Sequence, residues 1–224
     1  QAKSSKKGDK AYRDAKARFI GWLEELANYR ILDPACGSGN FLFLGLKALK
    51  DIEHKSHLDA AALGLDREAD LVTGPHNVLG IELNEYAAEL ARVTVWIGEL
   101  QWRMAHGYEF KTNPVLEPLD HIECRDALLS FGVPESRSEP GPRAAQMPQP
   151  HTLRFLKSAA TSAPPAPLSD NGSPTVTEAP WPTANIVIGN PPFLGGSKKR
   201  RELGDAYFDA LDTVFSGRVP GGAD

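Results

Sequence analysis

The chain has 224 residues, of which 41% are hydrophobic and 24% are charged, and its formal net charge is −4. This composition is enough for a domain with a substantial core. The net charge excludes the strongly basic charge balance that is typical of many nucleic-acid-binding proteins, so contact with DNA or RNA has to be argued from local sites. Two cysteines without zinc-ligand spacing favour a reduced, cytoplasmic setting. The longest apolar runs are too short to span a bilayer, and we expect no membrane contact.

The chain begins with a predicted helix. Apolar residues recur at steps of three and four over 9–29, which predicts an amphipathic helix leading into the domain. A short buried strand follows over 30–32 and ends at Asp33, and a turn with two glycines comes next. We expect a second helix from Asn40 to about Lys50.

A second strand and a long helix come after a mixed, charged stretch over 51–76, which predicts a helix followed by a loop. The strand covers 77–83, and the helix runs from Glu85 to about Met104. The larger apolar side chains of this helix share one face, as in an amphipathic helix: Tyr86, Leu90, Val93, Ile97, Leu100 and Met104.

Two more strands are predicted over 121–125 and 185–189. The segment between them, 131–183, is rich in Pro, Ser, Ala and Thr, which predicts a mobile insertion. Short apolar strands alternating with helices indicate an α/β fold with a doubly wound, mostly parallel sheet. The carboxyl ends of the strands would then lie along one edge of the sheet, where such folds bind ligands.

The segment ILDPACGSGNF, residues 31–41, joins the first strand to the second helix. Glycines such as Gly37 and Gly39 are needed where the backbone turns tightly and approaches a ligand without a Cβ in the way. Asp33, beside the amides that open a helix, is placed to hold a ligand that carries an ammonium and a carboxylate group. The longer GxGxxG pattern of dinucleotide sites is absent.

Acidic residues end the next two strands. Glu82 in VLGIEL is placed to accept hydrogen bonds from both hydroxyls of a ribose. Asp126 in IECRDALL is placed to accept a hydrogen bond from an adenine amino group. The plain alternative is a common glycine turn and acids that cap helices. Three such features at successive strand ends, in order, favour a nucleoside-bearing ligand.

The segment IVIGNPPF, residues 186–193, is the most specific pattern in the chain. Two prolines fix an extended turn without amide donors and leave carbonyl groups free to point into a site. If the Asn190 side-chain oxygen and the Pro191 carbonyl accept the protons of an amino group conjugated to a ring, the lone pair of its nitrogen is freed for attack. Phe193, after Pro192, can stack on an extruded base. The alternative is a proline-bounded strand end with a core phenylalanine.

Two charged patterns are weaker. His54 and His57 lie three residues apart without a third ligand nearby, so a solvated helix face is favoured and no metal site is predicted. A basic run after the Pro-Pro turn could contact phosphates or be a solvated face, and both interpretations stay open. Its members are Lys198, Lys199, Arg200 and Arg201.

These residues carry a resemblance to a known family. DPACGSGNF, IEL and NPPF resemble motifs I, II and IV of class I amino-methyltransferases, and Asp126 takes the motif III position. GIELNEYAAELARVTVWIGELQW and IGNPPFLGGSKKRRELGD resemble the methylase part of single-chain type II, type IIL-like, restriction-modification enzymes and related phage-defence methylases. The resemblance implies S-adenosylmethionine as cofactor, N6 of adenine in double-stranded DNA as acceptor, with the adenine flipped out, and host protection in the cytoplasm of a bacterium or archaeon.

The resemblance also implies roles for residues. Asn190, Pro191, Pro192 and Phe193 would form the catalytic turn. The cofactor would be bound by Asp33, Pro34, Ala35, Cys36, Gly37, Gly39, Glu82, Leu83, Asp126 and Ala127. The parts of the chain would be a leading helix over 1–29, a cofactor-binding part over 30–130, the insertion over 131–183 and a catalytic segment over 184–224.

The family's motif X, its later strands and its target-recognition domain are not found in the chain. We therefore expect a truncated Rossmann-like methyltransferase fold, with four of the family's seven strands, that is inactive alone. The target-recognition domain and possible nuclease domain would lie elsewhere in the full-length protein. Two other functions stay open: a protein-glutamine or RNA amino-methyltransferase that uses the same turn, and a cofactor-binding subunit without catalysis.

Overall fold

The computed structural model of the chain describes residues 2–65, 70–108, 118–132, 175–192 and 196–219, without the side chains of 2–9 and 196–199. In chain order the elements are α1 (Ala2–Asn28), β1 (Ile31–Asp33), α2 (Asn40–Ala62), a 3₁₀ helix (Pro75–Asn77), β2 (Val78–Glu82), α3 (Glu85–Ala105), β3 (Ile122–Cys124), β4 (Leu129–Phe131), β5 (Val176–Glu178), β6 (Ile186–Val187), α4 (Gly196–Leu203) and α5 (Asp205–Val214). They form two units, Gln1–Ala127 with Pro180–Pro192 and Leu128–Ala179 with Phe193–Asp224.

A four-stranded parallel sheet is the centre of the first unit. Its order is β3-β2-β1-β6, and every neighbouring pair runs parallel. The chain moves from β1 outward through α2, β2 and α3 to β3, and then returns to place β6 on the other side of β1. The α/β class, with a doubly wound, parallel, Rossmann-like sheet, is confirmed. The four strands of this sheet are the four that the sequence predicts.

Both faces of the sheet carry buried apolar side chains. Ile31 belongs to the cluster that includes Leu42 of α2 and Val95 of α3, so these helices cover one face. Leu32, the next residue, belongs to the opposite cluster, because neighbours along a strand point to opposite faces. That second cluster also contains Leu79 and Ile81, with Ala127 and Ala184 packed against it.

Helix α3 packs through the face opposite to its apolar stripe. Tyr86 is 78% exposed and Met104 is 69% exposed, whereas the buried residues are mostly small. They are Ala88, Ala91, Val95, Gly98, Glu99 and Trp102. The reason is the short distance to α2: a Cβ at Gly98 would collide with the ring of Phe43. Close packing selects small side chains, and the larger apolar ones remain outside.

Helix α2 is longer than the sequence predicts because its second half buries charged residues. The Lys50 ammonium lies 2.9 Å from Glu99 and donates to the Thr73 carbonyl at 3.0 Å. Glu53 accepts from two backbone amides of the loop that precedes the 3₁₀ helix. His57, beside Glu53 at 3.4 Å, is buried, so the expectation of a solvated face is wrong for this residue. Lys50 and Glu53 are satisfied inside the protein, which allows the helix to continue, whereas Nδ1 of His57 has no hydrogen-bond partner among the described residues.

The second unit contains a feature that the sequence did not predict. Strands β4 and β5 form an antiparallel pair in which Phe131 lies opposite Val176. They join the two margins of the predicted insertion, and residues 133–174 of that insertion lie outside the described residues. The unit also contains α4 and α5, and Arg218 forms an ion pair with Glu178 of β5 at 2.8 Å.

Two searches cover only the described parts of the chain. None of the helices there is long and apolar enough to cross a membrane. No group of three or more His, Cys, Asp or Glu side chains in those parts is arranged to hold a metal ion.

Candidate active site

The carboxyl edge of the parallel sheet brings the predicted site residues of the first unit together. Asp33 ends β1, Glu82 ends β2, and the turn of Asn190, Pro191 and Pro192 follows β6. The sheet order reverses between β1 and β6, and this switch point is where open α/β sheets bind ligands. The residues therefore lie where the fold class places a ligand.

Asp33 has one satisfied and one unsatisfied oxygen. Its side chain is 1% exposed, and Oδ1 accepts a hydrogen bond from the Ala35 amide at 3.0 Å. Oδ2 is buried and has no hydrogen-bond partner among the residues that the structure describes. Burial raises the pKa of this carboxyl group, and the nearby Glu82 charge raises it further, against the lowering effect of the Ala35 amide. A buried carboxylate oxygen without a donor is costly, so this atom is matched to a cationic ligand group.

The two glycines of the turn have different functions. Both have positive φ, 52° at Gly37 and 83° at Gly39, which favours glycine. No atom of the described residues lies within 4 Å of the position of a Cβ at Gly37, so this side of the turn is open. A Cβ at Gly39 would lie 2.9 Å from the Cα of Ala91 in α3. Gly37 therefore leaves room for a ligand, and Gly39 allows α2 to pack against α3.

Glu82 connects the turn to the second strand. One carboxylate oxygen accepts from the Gly37 amide at 2.8 Å and the other from the Asn84 amide at 2.8 Å. A carboxylate has about four lone-pair sites, so both oxygens retain acceptor capacity. Asn84 in turn caps α3 through the Ala87 amide at 3.0 Å. Glu82 is thus held in place on both sides before any ligand binds.

The residues between Asp33 and Gly37 form the inner wall of the turn. The Cys36 thiol is 5% exposed, and its pKa is raised to about 12 by burial and by the charges of Asp33 and Glu82. The thiol lies against β2, since a Cβ at Gly80 would be 3.0 Å from its Sγ. Cys36 is therefore a packing residue, and Pro34 and Ala35 are half-buried beside it.

The predicted residues near the third strand lie just beyond β3 and β2. Leu83 is 56% exposed and so has an apolar surface available for stacking. Asp126 is half-buried, and the Ala127 carbonyl accepts from the Trp181 indole at 2.6 Å. Arg125 donates to the Pro180 carbonyl at 2.9 Å. These contacts join the segment after β3 to the segment that enters β6.

The Pro-Pro turn is exposed and is anchored on its amino-terminal side. Asn190, Pro191 and Pro192 are all exposed, and Phe193 lies outside the described residues. Ile188 donates to the Leu32 carbonyl at 2.8 Å, which extends the β1–β6 pairing beyond the strand. The Asn190 amide is therefore presented to solvent at the end of a strand that is fixed to β1.

The basic run lies in the second unit. The side chains of Lys198 and Lys199 are outside the described residues. Arg200 forms ion pairs with Asp205 at 3.0 Å and Asp209 at 2.8 Å, which raise the pKa of its guanidinium. Arg201 is paired with Glu202 at 2.9 Å and is 74% exposed at its side chain. Phosphate binding by Arg200 would therefore compete with two carboxylates.

The structure adds one position to the site that the sequence analysis did not assign, Gly189, and one contact at the amino-terminal start of the strands that fixes β6 to β1. Asn185 exchanges hydrogen bonds with Arg30, its Oδ1 accepting from the Arg30 amide at 2.7 Å and its own amide donating to the Arg30 carbonyl at 2.9 Å. Gly189 lies against the Asp33 carboxylate. Asn185 directly precedes the IVIGNPPF pattern and Gly189 lies within it, but the contacts join residues about 155 positions apart, which no local pattern indicates.

The sheet, the strand-end acids and the Pro-Pro turn define an α/β fold with a candidate ligand site at the topological switch point. The sequence profile of the family described as "MmeI, DNA-methyltransferase domain" matches residues 9–216. The chain belongs to this family.

Known proteins with similar sequences come from an archaeon and a bacterium. A protein of Methanocaldococcus jannaschii, named as a candidate type II restriction enzyme and methyltransferase, is 32% identical over 85 residues, which are 36% of this chain and 7% of that protein. DNA methyltransferase A of Bacillus subtilis is 23% identical over 206 residues, which are 88% of this chain and 18% of that protein. The chain thus spans less than a fifth of the length of either relative.

Among solved structures, the chain is similar to the type IIL restriction-modification enzyme MmeI in complex with DNA. The identity is 25%, the TM-score is 0.36, and the match covers 45% of this chain and 14% of that one.

Proposed function

We propose that the chain supplies the cofactor-binding and catalytic residues for S-adenosylmethionine-dependent methylation of N6 of adenine in DNA. The methylation would protect host DNA in a restriction-modification or phage-defence system in the cytoplasm of a bacterium or archaeon. The observation that carries the proposal is the adjacency of two features on neighbouring strands. At the end of β1 lies a buried carboxylate oxygen that no donor of the described residues reaches, and an Asn-Pro-Pro turn follows β6.

The residues fit the cofactor. An ammonium group beside Asp33 would give its Oδ2 the donor that it lacks, and the open side of Gly37 leaves room for the methionine part. Glu82, fixed by two amides with acceptor capacity left, would accept from the ribose hydroxyls. Exposed Leu83 would pack on the adenine, with Asp126 and Ala127 at its amino end. Pro34, Ala35, Cys36 and Gly39 would shape the turn beneath.

The catalytic turn would act on the acceptor amino group. The cofactor, when bound, supplies a methyl group already activated on a sulfonium. The Asn190 side-chain oxygen and the Pro191 carbonyl would accept hydrogen bonds from the two N–H groups of the adenine amino group, which frees the nitrogen lone pair that the ring otherwise delocalises. As the nitrogen takes the methyl group, the sulfonium would leave as a neutral thioether and the nitrogen would release one proton to solvent. Pro192 and Phe193 would complete the turn, with the Phe193 ring stacking on the base. Since no strong base is needed, alignment of donor and acceptor supplies much of the rate.

The DNA partner is proposed from the family and from the chemistry. One relative with a similar sequence is named as DNA methyltransferase A, and another as a type II restriction enzyme and methyltransferase. A turn at the sheet edge reaches an adenine only after the base has left the helix stack, at a cost of a few kcal/mol. Lys198, Lys199 and Arg201 would contact phosphates beside the extruded base, and Arg200 would first have to leave its two carboxylates. Target choice, and any DNA cleavage, would reside in other domains of the full-length protein.

The test is modified-base sequencing of genomic DNA from cells that express the full-length protein. We expect N6-methyladenine at one short sequence motif, and no modification with Asn190→Ala. A matched control is Asn28→Ala, since Asn28 is an exposed asparagine of α1 whose side chain donates to the Glu24 carbonyl of its own helix at 2.8 Å. This variant should modify DNA normally.

Two results would contradict the proposal. Unmodified DNA from a folded protein that binds S-adenosylmethionine would move the acceptor to protein glutamine or RNA, which incubation with labelled cofactor and cell extract would reveal. A folded protein that binds the cofactor and methylates none of these substrates would instead be a cofactor-binding subunit without catalysis.

A further inference from the structure

Gly189 directly precedes the Asn190 turn, two residues after strand β6, and it lies against the Asp33 carboxylate. A Cβ at this position would be 2.7 Å from Oδ1 of Asp33, 3.4 Å from its Cγ and 3.8 Å from Cδ of Pro34. Distances below 3.0 Å are essentially not found for real Cβ atoms. Any side chain at Gly189 therefore forces the carboxylate or the turn to move.

The glycine is required by space and not by backbone conformation. The glycines with positive φ in the described residues include Gly37 and Gly39, but Gly189 is not among them. Because φ at Gly189 is not positive, other residues could adopt the backbone conformation of this position without strain. The missing side chain at Gly189 is explained by the contact with Asp33 alone.

The two sides of this contact differ in how far they can yield. Asp33 is buried, its Oδ1 is bonded to the Ala35 amide, and its strand is paired on both sides. The strand before Gly189 is fixed to β1 by the Ile188 amide and by Asn185. The turn that begins at Asn190 is exposed. A side chain at Gly189 would therefore displace the turn and leave the carboxylate in place.

We propose that Gly189 is a positioning residue for methyl transfer. By bringing the start of the turn into contact with Asp33, it sets the distance between the methionine end of the cofactor and the Asn190 side chain that holds the acceptor. The inference rests on the proposed function, in which Asp33 binds the cofactor and Asn190 the amino group. Direct displacement depends on alignment, and a misplacement of about 1 Å can lower a rate roughly 100-fold.

The test compares Gly189→Ala with Gly45→Ala in the full-length protein. A Cβ at Gly45 would be 3.2 Å from Ile31 and 3.3 Å from Ile188, so the control adds the same methyl group against the same two strands, without contact to Asp33. For each variant we would measure kcat on target DNA, the Kd for S-adenosylmethionine by calorimetry, and extrusion of a 2-aminopurine placed at the target adenine by fluorescence.

We expect Gly189→Ala to lower kcat roughly 10- to 100-fold, with the cofactor Kd and the 2-aminopurine signal unchanged, and Gly45→Ala to retain the wild-type kcat. A purely structural role would lower kcat, raise the cofactor Kd and reduce the 2-aminopurine signal together. The inference is overturned if Gly189→Ala keeps the wild-type kcat, if its cofactor affinity falls in parallel with kcat, or if Gly45→Ala loses as much activity.

Failure of the inference and failure of the proposed function give different results. If the wild-type protein does not methylate DNA, or if Asn190→Ala still does, the proposed function is wrong. If wild type is active, Asn190→Ala is inactive and Gly189→Ala is normal, only the role of Gly189 is wrong.

Discussion

The two glycines of the turn after β1 offer a matched pair of substitutions. Gly37 and Gly39 both have positive φ, so an alanine at either position carries the cost of a left-handed backbone. The substitutions differ in the space around the new methyl group. At Gly37 no described atom lies within 4 Å, whereas at Gly39 the methyl would lie 2.9 Å from the Cα, 3.0 Å from the Cβ and 3.1 Å from the carbonyl oxygen of Ala91.

The expected loss of stability follows from this difference. A left-handed backbone costs a non-glycine residue about 1–2 kcal/mol, and the reduced freedom of the unfolded chain returns about 0.4–1 kcal/mol. These contributions are common to Gly37→Ala and Gly39→Ala and cancel in the comparison. Overpacking against backbone atoms adds about 1–3 kcal/mol at Gly39 only. We therefore expect Gly39→Ala to be less stable than Gly37→Ala by about 2 kcal/mol.

Urea unfolding followed by tryptophan fluorescence measures this difference. All four tryptophans belong to the first unit, so the signal reports on the unit that contains the turn: Trp22, Trp96, Trp102 and Trp181. Equal midpoints for Gly37→Ala and Gly39→Ala would refute the packing argument. For cofactor affinity the order should be reversed. Gly37→Ala should bind the cofactor more weakly than Gly39→Ala, since a methyl group at Gly37 enters the space proposed for the ligand.

Three further predictions concern buried groups. Asp33→Asn should raise the free energy of unfolding by about 1 kcal/mol and weaken cofactor binding in calorimetry. Because the pKa of Asp33 in the folded protein is raised above 3.8, its charge costs stability only as the pH rises through the raised pKa. The stability gained by Asp33→Asn should therefore vanish in thermal melts at or below pH 3.8. Lys50→Met, which leaves Glu99 as a buried charge without its partner, should destabilise the protein by about 3 kcal/mol in urea unfolding. Lys47→Met removes an exposed ion pair and should cost less than about 1 kcal/mol. Equal losses for the two variants would contradict the role of burial. Iodoacetamide should alkylate exposed Cys124 and leave Cys36, whose pKa is about 12, unmodified until the protein unfolds, as peptide mass spectrometry would show.

The sheet could be predicted from the sequence because its strands are short apolar runs that end at recognisable residues. Asp33 and Glu82 end β1 and β2 as expected, and the Asn190 turn follows β6. Each of these signals is local, and the rule that parallel strands share one carboxyl edge then places the three together. The α/β fold follows from such signals.

Other features depend on contacts between distant residues. Apolar periodicity selected the stripe of α3 that contains Tyr86 and Met104, but the close approach of Phe43 to Gly98 favours small residues and reverses the buried face. The helix α2 was predicted to end near Lys50, because a charged residue signals exposure, and its partner Glu99 lies in another helix. The different functions of Gly37 and Gly39 depend on Ala91, which is likewise remote in sequence.

The position of β6 in the sheet has a consequence for the order in which the protein assembles. Strands β1, β2 and β3 contact neighbours that lie close along the chain, through one helix each, whereas β6 pairs with β1 across about 155 residues. Local contacts form early in folding, and such distant pairings form later because loop closure precedes any gain. The proposed cofactor residues would therefore gather first, and the strand that delivers the Asn190 turn would complete the site last. An incompletely folded chain could bind its methyl donor before it gained the means to transfer the methyl group.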